Sequence, residues 1–250
     1  MADNKQQSHA FIGNGKVYFT PVKNGVEGKP FWVGVANAAS FSHSVEDEKE
    51  LKEYHSGKNQ TWDKYDGDKA TTFSITMNER RPKAMQAALQ ATVTEVATGT
   101  ATGEEHAVSE VGDILFLKHK NVTEITTFTD STTGTPLDLV EGIDYTIDKK
   151  YGTIELLEKQ TLKSPLIVTY SYGTATVMKP MTDDVDYYRI RVDGLNKVGQ
   201  KDKQVVTAYR AKLSPADTLD LISDDFAEMT LEADLMYDEA EDATYEIVKL

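Results

Sequence analysis

The stretch 227-AEMTLEADLMYD-238 has the most regular pattern in the chain. Every second residue, beginning with the first, is apolar, and most of the residues between them are acidic. Successive side chains of a strand point to opposite faces, so this period of two predicts a β-strand with one buried face. The opposite face would be acidic, and its candidate functional residues are Glu228, Glu232 and Asp234.

The same period of two recurs in other segments. Val17 and Phe19 alternate with polar neighbours, and the sequence KNGVEGKP at 23–30 supplies a turn after them. Phe73 belongs to a further alternating run at 71–79. Together with the stretch at 227–238, these segments predict a chain that is mainly β.

One segment, ERRPKAMQAALQATV at 79–93, predicts a helix over about 80–91. Alanine and glutamine are good helix formers, and Pro82 suits a first helical turn. Met85 and Leu89 lie one turn apart on the face that would pack on the sheet. A weaker signal follows Ser214, which is a plausible N-cap for a short turn or helix.

Residues 43–70 are strongly charged and lack a clear apolar stripe, so we expect mainly an extended loop. Loops of this length in compact domains usually have a function or are disordered. Further along, residues 111–173 contain short apolar runs broken by Gly, Pro and Asp, which predicts an inserted small β module. The remaining parts, 1–110 and 174–250, would then form one β domain.

Within the insertion, 141-EGIDYTIDKKYGTIEL-156 could be an acidic metal loop or a hairpin. Its residues alternate on both sides of DKKYG, as in paired strands. Asp148 can accept hydrogen bonds from the turn backbone, and Gly152 can adopt a positive φ. Because a hairpin explains each acid without a metal, we favour the hairpin.

The composition argues against several classes of protein. The chain of 250 residues has a net charge of −14 and no cysteine, which excludes disulfides and thiolate metal sites. Its five histidines lack the spacing of a local metal-binding pair, and no G-x-S-x-G motif occurs. It also lacks a long apolar run and an N-terminal signal pattern. We therefore predict a protein with no enzymatic activity, cofactor, metal or membrane span.

Four stretches together resemble the major tail tube proteins of long-tailed, non-contractile (siphovirus-type) bacteriophages. The first is the order of strand, charged loop, strand and helix over 41–89, and the second is the β insertion at 136–173. The third and most specific is YYRIRVDGLN at 187–196 followed by VVTAYRAKLSPADTLDLISDDFAEMTLEADLMYD at 205–238. The fourth is the short acidic tail at the end of the chain.

The resemblance implies a β-sandwich or barrel flanked by one α-helix, in homo-hexameric rings stacked head to tail. It implies a protein made in the host cytoplasm and located in the virion tail, with the tape measure, tail terminator and distal tail proteins as partners. Viral DNA would cross the lumen without specific binding. A negative wall repels phosphates, whereas a basic wall would hold them.

On this interpretation, Glu228, Glu232 and Asp234 are candidates for the lumen wall, and an ordinary solvated outer face is the alternative. Loop 43–70 is the candidate contact between stacked rings, because an exposed charged loop becomes ordered only against a partner. Aromatic side chains dominate such contacts. The candidate residues of this loop are Glu46, Asp47, Glu48, Tyr54, Trp62 and Tyr65.

A β-rich virion adhesin or carbohydrate-binding module is the alternative function. Tyrosines of the insertion could stack on sugars. They are Tyr145, Tyr151, Tyr170 and Tyr172. A hydrolase with paired carboxylates is a third hypothesis, but so acidic a chain offers such pairs almost anywhere.

Overall fold

The structure is a computed structural model that describes residues 10–108, 110–157, 162–199 and 201–250. These residues contain nineteen strands and one α-helix, so the prediction of a mainly β chain with one helix is confirmed. The chain divides into two compact units: residues up to Thr92 together with Lys179–Leu250, and Val93–Met178. The polar segment 1–9, which lacks a signal pattern, lies outside the described residues.

The first unit contains eleven strands and the helix. They are β1 (Gly13–Lys23), β2 (Val26–Glu27), β3 (Phe31–Trp32), β4 (Ala36–Glu46), β5 (Lys49–Lys52), β6 (Thr61–Tyr65), β7 (Asp68–Met77), α1 (Pro82–Ala88), β16 (Tyr187–Asn196), β17 (Lys203–Leu213), β18 (Met229–Met236) and β19 (Tyr245–Lys249). The strands β8 (Thr92–Val96), β9 (Gly99–His106), β10 (Ile114–Phe116), β11 (Val122–Thr129), β12 (Tyr145–Asp148), β13 (Thr153–Leu156), β14 (Leu166–Tyr172) and β15 (Ala175–Lys179) lie between α1 and β16.

Nine strands of the first unit form one antiparallel sheet in the order β2-β1-β16-β17-β18-β7-β4, with β3 on β1 and β19 on β17. β17 changes partner along its length, because its first half pairs with β19 and its second half with β18. The sheet therefore bends at β17 into two facing layers. Phe41 of β4 stacks on Tyr245 of β19 with ring centroids 5.0 Å apart. The layers pack as in a sandwich, and no sheet of the described residues closes into a barrel.

The alternation predicted at 227–238 is confirmed over Met229–Met236, which form β18 between β17 and β7 in the sheet, whereas Tyr237 just beyond it is 51% exposed. The alternate side chains Met229, Leu231, Ala233 and Leu235 of β18 belong to the buried core. Phe19 and Phe73 meet in the same core with ring centroids 6.4 Å apart. The hydrophobic effect thus selects the register of β18, since a slip by one residue would bury its acids.

The helix is shorter than predicted and ends at Ala88. Its buried side chains are Ala84, Ala87 and Ala88, whereas Met85 is only partly buried against the core. Small side chains let the helix approach the sheet closely, which a search for large apolar residues misses. The helix ends because Gln90 adopts a left-handed φ of 46°.

Of the short turn or helix predicted after Ser214, the helix is not formed, because residues 214–228 form an irregular loop. The Ser214 N–H donates to the Glu232 carbonyl, and the Ala216 N–H donates to the Ala88 carbonyl. The two N–H groups are therefore hydrogen-bonded to β18 and to the end of α1. These bonds hold Ser214 and Ala216 against other elements, so the segment does not start a helix of its own.

The second unit has its own sheets and its own core. Its sheets are β10-β13-β12, β11-β14-β9 and the pair β15-β8. The unit extends beyond the predicted insertion 111–173, since β9 pairs with β14 along Leu166–Tyr172. The boundary predicted at residue 110 therefore lies inside the unit. The Thr/Gly-rich composition of β9 hid this strand from pattern analysis.

Candidate assembly surfaces

Residues 43–70 form an ordered hairpin arm, so the prediction of an extended loop is wrong. β4 and β7 pair from Ala36 and Met77 out to Glu46 and Asp68. After a two-residue break in each strand, β5 and β6 continue the ladder. Paired backbones satisfy their own hydrogen bonds, so a charged segment can form regular strands without an apolar stripe.

The break in the arm depends on backbone geometry at two positions. Asp47 adopts a left-handed φ of 56°. A Cβ on Gly67 would lie only 1.6 Å from the Glu46 carbonyl oxygen, so this position requires glycine. The break in the strands of the arm therefore depends on Gly67.

The three predicted aromatic contact residues are all exposed, at 73% for Tyr54, 68% for Trp62 and 62% for Tyr65. Tyr65 lies opposite Lys49 in the ladder, and Lys64 lies opposite Glu50. Trp62 is two residues from Lys64 and three from Tyr65. The register shifts between the pairs Leu51–Asp63 and Lys52–Thr61, so Trp62 is the extra residue of a β-bulge in the arm.

Of the three predicted acids, Glu48 contributes to the order of the arm. It forms an ion pair with Lys64 (2.6 Å between Oε2 and Nζ), and this hydrogen bond raises the pKa of Lys64. Glu46 ends the first ladder opposite another acid, Asp68, and Asp47 occupies the break.

Glu53 was missed by the sequence analysis, although it fixes the tip of the arm. Its carboxylate accepts hydrogen bonds from the Ser56 hydroxyl, the Ser56 N–H (3.0 Å) and the Gln60 N–H (3.4 Å). These bonds, led by that of the Ser56 hydroxyl, lower the pKa of Glu53. The spacing E-x-x-S is common in solvated surface segments and does not predict a hydrogen bond. Only the structure therefore identifies this contact.

The predicted acidic residues of β18 lie on one exposed surface, which we name the acidic hydroxyl face. Glu232 is opposite Ser74 and Asp234 is opposite Thr72 on β7. Next to β7, strand β4 adds Ser40 and Ser42 in the same register. The acidic hydroxyl face comprises Glu228, Thr230, Glu232, Asp234, Thr72, Ser74, Thr76, Ser40 and Ser42.

Two hydrogen bonds fix one end of this face. The Asn37 side-chain amide donates to Glu228 Oε1 (2.6 Å), and the Asn78 amide donates to the same oxygen (3.3 Å). At the β17 border, the Lys212 ammonium lies beside the face but donates to the Asp186 carbonyl (3.0 Å). The side chains that β7 and β4 contribute to this face are short, uncharged serines and threonines. Glu232 and Asp234 therefore dominate the charge of the surface.

β4 ends the order of the main sheet and pairs only with β7 among the described residues. Its sequence, ANAASFSHSVE, contains neither lysine nor proline. Edge strands usually carry such residues to prevent pairing with another chain. The eleven residues of β4 therefore offer an edge on which another strand can pair.

The loop 214–228 carries an apolar surface that the sequence analysis missed. Leu221, Ile222 and Phe226 are 81%, 97% and 87% exposed. Asp217, Asp220, Asp224 and Asp225 lie among them and are exposed. The sequence contains one sign of this surface: the spacing of these apolar residues fits neither a strand nor a helix, so no regular element would bury them.

In the second unit, 141–156 contains the hairpin favoured over a metal loop. β12 and β13 pair from Tyr145–Leu156 to Asp148–Thr153, and Gly152 has a positive φ of 65°. Asp148 Oδ1 accepts the N–H groups of Lys150 (3.0 Å) and Tyr151 (3.2 Å). In the described ranges, no three His, Asp or Glu side chains form a group that could hold a metal ion.

The tyrosines proposed for sugar stacking do not form a surface platform. Tyr170 is fully buried, and Tyr145 is 4% exposed. The Tyr170 hydroxyl donates to Glu104 Oε2 (2.6 Å) and accepts from the His119 N–H (3.0 Å). The Tyr172 ring stacks on the imidazole of His119 with centroids 3.9 Å apart. Of the four, Tyr151 is the one with a largely exposed side chain, at 72%.

Asp130, which is 1% exposed, anchors the irregular segments of the second unit. Its carboxylate accepts hydrogen bonds from the Thr132 hydroxyl (2.5 Å), the Leu137 N–H (2.8 Å), the Lys163 N–H (3.1 Å) and the Thr132 N–H (3.1 Å). These bonds, that of the Thr132 hydroxyl first, hold the pKa of Asp130 well below its usual range. A carboxylate with several donors is stabilised in its charged form.

We expect Asp130→Asn to lower the melting temperature of the second unit at pH 7, because the amide can accept at only one of its two ends. The depressed pKa makes the wild-type contribution fully present above the unfolded value of about 3.9. That contribution declines as the pH falls from there toward the folded pKa. Calorimetry at pH 7 and pH 3 should show a smaller difference between the proteins at pH 3. The matched control Asp138→Asn changes an exposed neighbour and should leave the transition unchanged, and equal differences at both pH values would refute the role of ionisation.

The fold and these surfaces define the class of the protein as a mainly β chain of two units with an exposed arm, an acidic face and an apolar loop. Residues 10–247 match the family described as Protein of unknown function UCP028589, and the chain belongs to this family. A comparison with curated proteins gave no match. No helix in the described part of the chain is long and apolar enough to cross a membrane.

Proposed function

We propose that this chain is a structural virion protein, the subunit of a phage tail tube. Six copies would form a ring, and stacked rings would make a conduit through which DNA leaves the particle. The observation that carries the proposal is the hairpin arm. An isolated hairpin is marginally stable in water, so an arm with exposed aromatics gains most when neighbouring subunits cover it.

The exposed aromatics of the arm indicate how it can be used. Tyr54, Trp62 and Tyr65 are all largely exposed, and large aromatics are the residues that most often dominate interface energies. The arm is therefore proposed as the contact between stacked rings. Its internal ion pair and the Glu53 cap keep it ordered before assembly, which lowers the entropy lost on binding.

The layer β17-β18-β7-β4 supports the proposed conduit. Its acidic hydroxyl face and its unpaired β4 edge belong to the same sheet. A strand of the next copy paired to β4 would continue this layer around a ring, and ring closure would remove the exposed edges. The acidic hydroxyl faces of the six copies would then form one continuous surface, and we propose this surface as the wall of the lumen.

Charge and side-chain length suit this surface to DNA passage. Glu232 and Asp234 repel phosphates over about 8 Å, the screening length at physiological salt. Serine and threonine side chains leave a smooth, hydrated wall between them. Nothing on this face offers the cluster of Lys and Arg that sequence-independent DNA binding requires. The wall would therefore guide DNA without retaining it.

Electron microscopy of the purified protein at high concentration tests the proposal. We expect rings or tubes, formed spontaneously or nucleated by the tape measure, tail terminator or distal tail proteins that the proposal makes its partners. Sedimentation should show the same assemblies in solution. Monomers that persist under all these conditions would refute it. Binding of glycans by such monomers would instead favour the adhesin, for which the buried Tyr145 and Tyr170 provide little support.

A further inference from the structure

The first unit contains an apolar groove whose shape complements the exposed loop 214–228. The groove has a volume of about 220 Å³ and lies beside the start of β1 and the start of β4. Its walls include Gly13, Gly15, Ala36, Ala38, Phe41 and Val206. Small residues leave room here for a large side chain that enters from outside.

Local lysines distinguish the mouth of this groove from the rest of an acidic chain. The groove-lining residues Gly194 and Gln204 are paired near the end of the β16–β17 hairpin. Four exposed lysines lie at this end, near the two acids Asp202 and Asp193, of which Asp193 forms an ion pair with Arg191. The lysines are Lys197, Lys201, Lys203 and Lys249. The Lys197 N–H also donates to the Ile12 carbonyl, next to the groove-lining Phe11.

The loop has the opposite charge to these lysines and carries large apolar side chains that could fill the groove. Leu221, Ile222 and Phe226 are nearly fully exposed in their own chain, so they do not fill its groove. Four aspartates surround them, at positions 217, 220, 224 and 225. Burial of one large apolar side chain contributes about 1.5–3 kcal/mol, and the facing charges select the orientation.

We propose that loop 214–228 of one copy inserts Ile222 and Phe226 into the groove between β1 and β4 of the next copy. This inference rests on the proposed function and specifies the contact between neighbouring subunits. The loop connects β17 to β18, whereas the groove borders β4 at the far edge of the same layer. A contact between two different patches is heterologous, and repetition of such a contact closes a ring or extends a filament.

The absence of cysteine from the chain makes disulfide trapping a direct test. We expect the double variant Ile222→Cys/Ala38→Cys to give, on oxidation under assembly conditions, a ladder of covalent oligomers that a reductant collapses to monomer. Each single variant should give no ladder, because a heterologous contact needs both partners. The matched control Ile222→Cys/Val26→Cys uses another exposed position, with Val26 70% exposed, and should not form the ladder.

The outcomes separate this contact from the tube itself. Tubes visible by electron microscopy without a 222–38 ladder would overturn the proposed contact and leave the tube intact. If neither tubes nor a ladder form, the result would count against both the contact and the tube. As a second measurement, Phe226→Ser should raise the protein concentration needed for assembly by about tenfold or more. Its melting temperature should stay unchanged because the side chain is exposed, and an unchanged assembly threshold would also overturn the contact.

Discussion

Removal of the hairpin arm is expected to abolish tube formation while the first unit still folds. Residues 47–67 would be replaced by the dipeptide Asn-Gly, which would link Glu46 to Asp68. These two residues are opposite each other at the end of the β4–β7 ladder. A two-residue Asn-Gly link is the favoured turn for closing antiparallel strands. The design therefore removes the arm without disturbing the register of the sheet.

The core supplies the reason for expecting a folded product. The buried cluster of the first unit draws on β1, β7, β16, β17, β18 and α1, and the removed segment contributes no residue to it. We expect the melting temperature to change by less than about 4 °C, which corresponds to roughly 1 kcal/mol in a chain of this size. Assembly should be lost entirely, because Tyr54, Trp62 and Tyr65 leave together.

Single substitutions provide matched controls for the deletion. Trp62→Ala and Tyr65→Ala each remove one aromatic and keep the arm. Each variant should weaken assembly, by about 2 kcal/mol for a residue at the centre of a contact. Normal tubes from the deletion variant would show that the arm is not the stacking contact.

Charge reversal on the acidic hydroxyl face is expected to convert a passive wall into a DNA-binding one. Glu232→Lys with Asp234→Lys adds two lysines per subunit and leaves Glu228 with its Asn37 and Asn78 bonds. In a ring of six, about twelve new cations would face the same surface. A site that neutralises six to ten phosphates loses about 10³–10⁵ in affinity between 50 and 200 mM salt. The variant should therefore retain DNA strongly at low salt and release it at high salt.

The topology of the DNA distinguishes a lumen from an outer face. Linear duplex can enter an assembled tube through its ends, whereas closed circular duplex cannot. We expect the double variant to co-sediment with linear DNA only and to protect it from nuclease. Equal binding of circular DNA would place Glu232 and Asp234 outside the lumen. The control Glu105→Lys/Glu124→Lys makes the same change in charge at exposed positions of the second unit, and it should not protect DNA from nuclease.

Several elements could be predicted from the sequence because their signal is local. The period of two fixes β18 and its buried face. Asn24 and Gly25 turn the chain between β1 and β2 with positive φ angles of 50° and 72°, as their residue types predict. Asp148 and Gly152 determine the hairpin of the second unit in the same way. Each of these depends on residues within one turn or one strand.

The candidate surfaces could be predicted from the sequence only in part. The acidic face of β18 and the exposed aromatics of 43–70 follow from residue type. The groove beside Ala38 and its relation to Ile222 depend on strands far apart in the chain, so no local pattern contains them. The order of the arm was missed for a related reason, since charged strands satisfy their backbone groups through pairing and need no apolar stripe.

By itself, the sequence determined that this chain is mainly β, lacks thiol chemistry and carries acids on one face of β18. Composition and alternation decide these properties, because each residue contributes through its own side chain. Only the tertiary structure decided that 43–70 is a hairpin, that the second unit begins near Val93, and that Tyr145 and Tyr170 are buried. Those outcomes depend on pairing between distant strands, and the free energy of such pairing belongs to both strands together.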